Sequence, residues 1–248
     1  MSGPPDLVVA AFHWLEYLGL LGGLGSFVIR RLGRFTPRIA WANPPMHIAF
    51  GAAFAGGAGV LLAQTTAPWW VVLIRVLAEG LALLFCLRGI PLVAPFAVLA
   101  AVLLPLAAHA AGVLPPAGAE FADALHVLSA GMWAGGILAL ATLQPPAGWG
   151  GGEARMLLQR FGRVAPIAFG ITALTGVLRA TEQLGGVSDL WSTTYGQVLI
   201  FKSAGVLVML ALSALALRRG VSVARLEAMV AVLVVGATAL LAGFPLPA

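Results

Sequence analysis

Four histidines stand among the 248 residues of this chain, and each falls in or beside a long apolar run. His109 and His126 flank a short Pro/Gly loop in the stretch HAAGVLPPAGAEFADALHVLSAGMWAGG, from His109 to Gly136. His13 lies within the first apolar run, three residues before Glu16. Imidazole nitrogen binds copper, zinc, iron and nickel, and it is an axial ligand of haem iron. These residue types point to a histidine-based metal or haem site, with His109 and His126 close enough to share one metal ion or cofactor.

The neighbours of these histidines fit such a site. His13 and Glu16, at i,i+3, share a helix face. Asp123, three residues before His126, is placed to orient its imidazole as an acceptor; the alternative role is the N-cap of the helix. Trp133 falls two turns beyond His126 on the same face and forms a wall of the site. Met132, about 120° away around a helix, points elsewhere. The single cysteine, Cys86, excludes an internal disulfide framework and a cysteine-cluster metal site, and reads as a small packing residue. No HExxH, GxSxG, P-loop or CxxC is present, so no hydrolytic or nucleotide-driven chemistry is expected and the chain does not read as an enzyme.

Composition decides what must position these groups. The chain is 60% hydrophobic and 9% charged, with a mean hydropathy of +1.00. Soluble domains carry about 25% charged residues, so an all-α integral membrane protein is expected. About 20 apolar residues cross a bilayer, and eight such runs can be drawn. They cover about Leu7–Ile29, Met46–Ala63, Trp69–Arg88, Pro91–Ala111, Phe121–Leu143, Val164–Gln183, Tyr195–Leu217 and Arg225–Phe244. Glycine pairs Gly19/Gly23 and Gly131/Gly135, and the Gly56-Gly57 patch, read as packing seams where backbones approach closely.

The basic residues fix the direction of the runs. The loops after runs one, three, five and seven hold four, one, three and three arginines, and the other loops and both tails hold none. This positive-inside pattern places both termini on the extracytoplasmic side. MSGPPD has no basic stretch before the first run, so that run is expected to be a retained span rather than a cleaved signal. The pI near 10.7 is accounted for by orientation, not by nucleic-acid binding.

With that topology, His13, Glu16, Arg75, Glu79, His109, His126, Arg179 and Lys202 all fall in the outer half of six runs. Each charge in hydrocarbon costs about 2.5–3.5 kcal/mol on insertion scales. A polar cavity open to the outside, walled by runs one and three to seven, is the expected arrangement. Arg75 and Glu79 at i,i+4 also suit mutual neutralisation, and Arg179 and Lys202 suit snorkelling to the headgroups. No ionisable group is expected in the inner half, apart from His47. Met46 and His47, at the inner mouth of run two, read either as an exit site or as an interfacial pair.

Several short motifs, in order, resemble the copper-resistance D (CopD-like) family of inner-membrane proteins. They are His109; Asp123, His126, Trp133, Gly135 and Gly136; Arg160, Phe161, Arg163, Thr175 and Gly176; Thr193, Tyr195, Gly196 and Lys202; and Leu226–Ala228. The resemblance covers roughly residues 105–247, and the first four runs only by pattern. It divides one polytopic membrane domain, 1–248, into four N-terminal spans (1–112) and four CopD-like spans (113–248). It implies a copper-handling protein of the bacterial cytoplasmic membrane, with copper bound at His109 and His126 and His13 as a third ligand. Asp123, Glu16, Trp133, Arg75, Glu79, Arg179, Tyr195 and Lys202 would line that pocket. No fused copper-binding domain and no Met- or His-rich tail is seen, so the resemblance implies either a separate periplasmic copper-binding partner, beside the membrane lipid itself, or a different task such as supplying copper for oxidase assembly. An oligomer is compatible with the pattern.

A second reading stays open from the residues alone. His109 and His126 would be axial ligands of a b-type haem, with Arg75, Arg179 or Lys202 pairing with its propionates. It needs no polar path through the inner half, whereas ion transport does.

Overall fold

The structure is a computed structural model that describes residues 5–63, 68–106, 116–184, 186–219 and 223–244; for residues 116, 117, 182, 183 and 216–219 it describes the backbone alone. Among the described residues all regular structure is helical. In order the helices are α1 (Leu7–Gly33), α2 (Met46–Ala63), α3 (Trp69–Arg88), α4 (Val93–Leu106), α5 (Pro116–Ala141), α6 (Gly152–Gln183), the single turn α7 (Asp189–Ser192), α8 (Thr194–Arg219) and α9 (Ala224–Ala242).

Seven of these helices are long and apolar enough to cross a membrane. The described part of α4 has 14 residues, about 21 Å at 1.5 Å per residue, less than the roughly 30 Å of a bilayer core. The remainder of the expected fourth run, with His109, lies outside the described residues. Among the described residues the architecture is all-helical, with seven candidate membrane spans.

α1 is the hub. It packs on α2, α5 and α9, and also meets α4 and α6. Glycine permits this, because a helix surrounded by helices must let their backbones in. Gly19 lies against the backbone of Ala49 and Ala53 on α2, and Gly25 against the backbone of Gly135 and Gly136 on α5. Gly131 seats Leu24. The expected glycine seams are present and run between α1 and its two main neighbours.

Chain ends and loops sort to two faces. The Asp6 side chain caps α1 by accepting from Val8 and Val9, while its backbone N–H donates to Gly243 at the end of α9 (2.9 Å). At the other end of the bundle the arginine-rich segments meet. Arg160 donates to the carbonyls of Leu32 (2.8 Å), Phe35 (3.2 Å) and Pro37 (3.0 Å), tying α6 to the connection after α1. Trp41 Nε1 donates to Glu153 across the same face (2.7 Å). We call this end the basic face.

Two boundaries differ from the sequence reading. α6 begins at Gly152, so Arg155, Arg160 and Arg163 are helical rather than in a loop. Their run, EARMLLQRFGRV, is amphipathic and continues the span past the membrane edge. α5 begins at Pro116, which places Asp123 about two turns inside the helix and removes its N-cap role. Apolar side chains such as Leu174 and Val177 on α6 and Phe201 and Leu207 on α8 stay exposed, as a lipid-facing surface requires.

A bulky side chain at the α1–α5 seam must force the helices apart. Gly135→Val is expected to destabilise the protein by at least about 2 kcal/mol, whereas Gly170→Ala, on open space, leaves it unchanged. Thermal unfolding of the detergent-solubilised variants, followed by size-exclusion chromatography, measures both.

Candidate metal site

The buried polar groups form two clusters on the side of the bundle away from the basic face. The first joins α1 and α3. His13 Nδ1 and Glu16 Oε2 are 3.0 Å apart, as their shared face predicts. Glu16 Oε1 then meets Arg75 Nε at 2.7 Å; the N–H does not point along this contact, so charge rather than a directed hydrogen bond holds it. Glu16 and Glu79 are wholly buried and Arg75 is 1% exposed. A Cβ on Gly57 would press on Glu79 Oε2 and come within 3.2 Å of Glu16 Oε1, so α2 supplies a glycine cradle for both carboxyl groups. Arg75 thus finds its ion-pair partner on another helix. The expectation that Arg75 and Glu79 simply neutralise one another is replaced by a bridge from α3 to α1.

The second cluster joins α5 and α6. Asp123 Oδ1 meets Arg179 Nε at 2.6 Å, so Arg179 is paired within the protein rather than snorkelling. His126 Nδ1 lies 3.0 Å from Thr175 Oγ1, and a Cβ added to Gly176 would come within 3.3 Å of its Cε1. Ser129 and Thr172 pair their hydroxyls one turn further along (2.8 Å). Lys202 on α8 lies within electrostatic range of both Asp123 and His126. Tyr195 is buried against Phe244 and lies near the Asp123–Arg179 pair. Tyr17 on α1 stacks on His13 (5.2 Å) and lies within electrostatic range of Asp123, so it stands between the two clusters.

The hydrogen bonds decide the tautomers. Thr175 has one hydroxyl proton and donates it to the Ile171 carbonyl at 2.7 Å. Its oxygen can then only accept from His126, so the imidazole carries its proton on Nδ1 and leaves Nε2 with a lone pair. Glu16 imposes the same state on a neutral His13, because a carboxylate only accepts. Both rings therefore have the arrangement of a metal-ligating histidine: Nδ1 held by an oxygen, Nε2 available. Among the described residues no group of three or more His, Cys, Asp or Glu side chains is placed to hold a metal ion. His109, the third expected ligand, lies outside the described residues.

The other sequence-predicted positions fall as follows. Trp133 is buried and makes an edge contact with Phe169 of α6 (ring centroids 4.9 Å). Met132 faces outward, as expected. Met46 is buried at the basic face with its sulfur 2.9 Å from an Arg30 guanidinium nitrogen, and His47 is exposed beside it. Cys86 is half-buried among packed apolar side chains. One expectation is overturned: the basic-face half of the bundle does contain a buried ionisable group. Glu227 on α9 is 6% exposed and accepts from Ser213 on α8. Sitting two residues from Arg225, it reads in sequence as an interfacial residue; only the packing of α8 on α9 buries it. Thr172, Thr175 and Ser129 were also not singled out as site groups, although Ser129 follows His126 at i,i+3 and the two threonines share that spacing.

With this geometry in view, comparison with known proteins is informative. Residues 155–241 match the family model described as Copper resistance protein D. This part of the chain is similar to that family. The matched residues hold the Thr175–Gly176 seat of His126, together with Arg179, Lys202, Ser213 and Glu227. They begin after the His109–Gly136 stretch. Among curated proteins, the copper transport protein CutJ of Bacillus subtilis (strain 168) is 33% identical over 110 residues, covering 43% of this chain and 20% of that protein. The similarity thus spans about a fifth of the relative's length. No solved structure matches.

Removing one partner of a buried ion pair strands the other charge. Arg75→Met is expected to cost about 3–5 kcal/mol, and combining it with Glu16→Gln to recover part of that loss. Chemical denaturation of the two variants in one detergent measures the difference.

Proposed function

We propose that this chain is a copper-handling protein of the bacterial cytoplasmic membrane, and that it moves copper ions across or into that membrane from an outward-facing histidine site. Two considerations support the reading: the CopD match over residues 155–241 and the copper-transport relative. The single structural observation that carries it is the anchoring of His126 and His13. Each ring has Nδ1 held by an oxygen and Nε2 ready to bind a metal.

In this reading copper is the cargo and the protein is a carrier rather than a catalyst. His126, His13 and His109 capture the ion through imidazole nitrogen. Glu16 and Thr175 hold two of the rings in the metal-binding tautomer, and Asp123, Glu79, Arg75, Arg179, Tyr195 and Lys202 set the charge of the pocket. The chain is one polytopic domain in two halves, 1–112 and 113–248. It has eight spans, and both termini face the extracytoplasmic side with the basic face inward. A separate periplasmic copper-binding protein delivers the ion. The haem alternative for His109 and His126 gains no support from the family comparisons, which point to copper.

Copper uptake by proteoliposomes, with the bound metal counted on the purified protein, tests the proposal. His126→Ala is expected to lose copper binding at least tenfold. Thr175→Val, which removes the acceptor behind the ring, weakens it about 10–100-fold. A purified protein that binds no copper, or a His126→Ala/His13→Ala variant that binds it as the wild type does, contradicts the histidine site. Orientation is tested in the Cys86→Ser background: a cysteine introduced at Pro5 is expected to react with a membrane-impermeant thiol reagent in intact cells, and one at Arg34 is not.

A further inference from the structure

The hydroxyl pairs between α5 and α6 lead from His126 towards the basic face. His126 meets Thr175, Ser129 meets Thr172 one turn on, and Trp133 stands against Phe169 on the next turn. Behind Trp133 and Phe169 lies a half-open apolar cavity of about 200 Å³ between α5, α6, α8 and α9, with the exposed Pro166, Leu210 and Ala214 on its rim. It reaches Val223, in the connection between α8 and α9 at the basic face, and its far wall holds Ser213 and Glu227. Glu227 is the one titratable side chain among the described residues that line it.

A carboxyl group in such an apolar cavity is expensive. Leaving it charged and unpaired costs several kcal/mol, and Ser213 supplies a single neutral donor. The cheapest way to settle it is to add one positive charge. The cavity has room for an ion, and Trp133 and Phe161 are among the side chains that line it. Ionisable groups inside a membrane protein are functional by default. Glu227 also supplies what the sequence lacked, a polar group in the inner half of the path.

We propose that Glu227, held by Ser213, is an inner station for a single positive charge, a copper ion or a proton, on the way between the Trp133–Phe169 pair and the basic face. The inference rests on the transport reading above and moves the inner stopping place from Met46 and His47 to the α8–α9 pair. Met46 already gives its sulfur to Arg30, whereas the carboxylate of Glu227 faces a cavity.

The test uses the full chain in proteoliposomes, with copper as the probe and a trapped pH-sensitive dye. Glu227→Gln keeps the shape of the side chain and its acceptor oxygen for Ser213. It is expected to lower copper uptake at least tenfold while copper binding at the outer histidines stays within twofold of the wild type. Glu227→Asp restores part of the uptake. If the station holds copper, the Gln variant binds one copper fewer at saturation; if it holds a proton, stoichiometry is unchanged and the dye signal that accompanies uptake is lost. Wild-type uptake with an unimpaired Glu227→Gln variant overturns the station. A wild-type protein that binds copper but does not carry it overturns the transport reading instead, independently of Glu227.

Discussion

The close approach of backbones along α1 is the constraint on which the rest of this structure depends. In a membrane the solvent around a helix is as apolar as its side chains, so association relies on dispersion contact and on polar groups that must find partners. α1 meets α2 at Gly19 and α5 at Gly25, each against main chain. This sets α1 between the two halves of the sequence. It also brings Glu16 to the level of Arg75 on one side, and Tyr17 to within range of Asp123 on the other.

The buried charges repay that precision. Arg75, Glu16 and Glu79 are removed from water together, and an arginine with no partner in hydrocarbon would be far more costly than any packing defect. The pairs Arg75–Glu16 and Asp123–Arg179 each connect two helices. They therefore serve as registry devices as well as setting the field around the histidines. The same logic explains the threonines of α6. Thr172 and Thr175 return their protons to their own helix, at Ala168 and Ile171, and so present lone pairs to α5. The state of His126 follows from an intrahelical hydrogen bond on its neighbour.

Several short motifs acquire physical roles. Arg160 binds three carbonyls of the connection after α1, and Phe161 packs on Gly136. Thr193 donates to Asp189 (2.6 Å) and accepts from the Gly196 N–H (3.0 Å). Gly196 in turn lies against the backbone of Asp189 and Leu190, where no larger residue fits. These are positioning features for α6 and α8. They lie within or beside the residues 155–241 that match the CopD model.

The sequence by itself determined the class of the protein, most span boundaries, the glycine seams, the i,i+3 pairing of His13 with Glu16 and the gathering of basic residues on one face. All of these depend on local periodicity, composition or spacing along one helix. It did not determine which helix each charge would meet. Arg75 chose Glu16 over Glu79, Asp123 chose Arg179, and His126 was seated by Thr175 and Gly176, since a one-dimensional pattern does not say which face of α1 turns to α3 and which to α5. Glu227 was hidden for the same reason. Its burial comes from the docking of α8 on α9, a contact that only the tertiary structure decided.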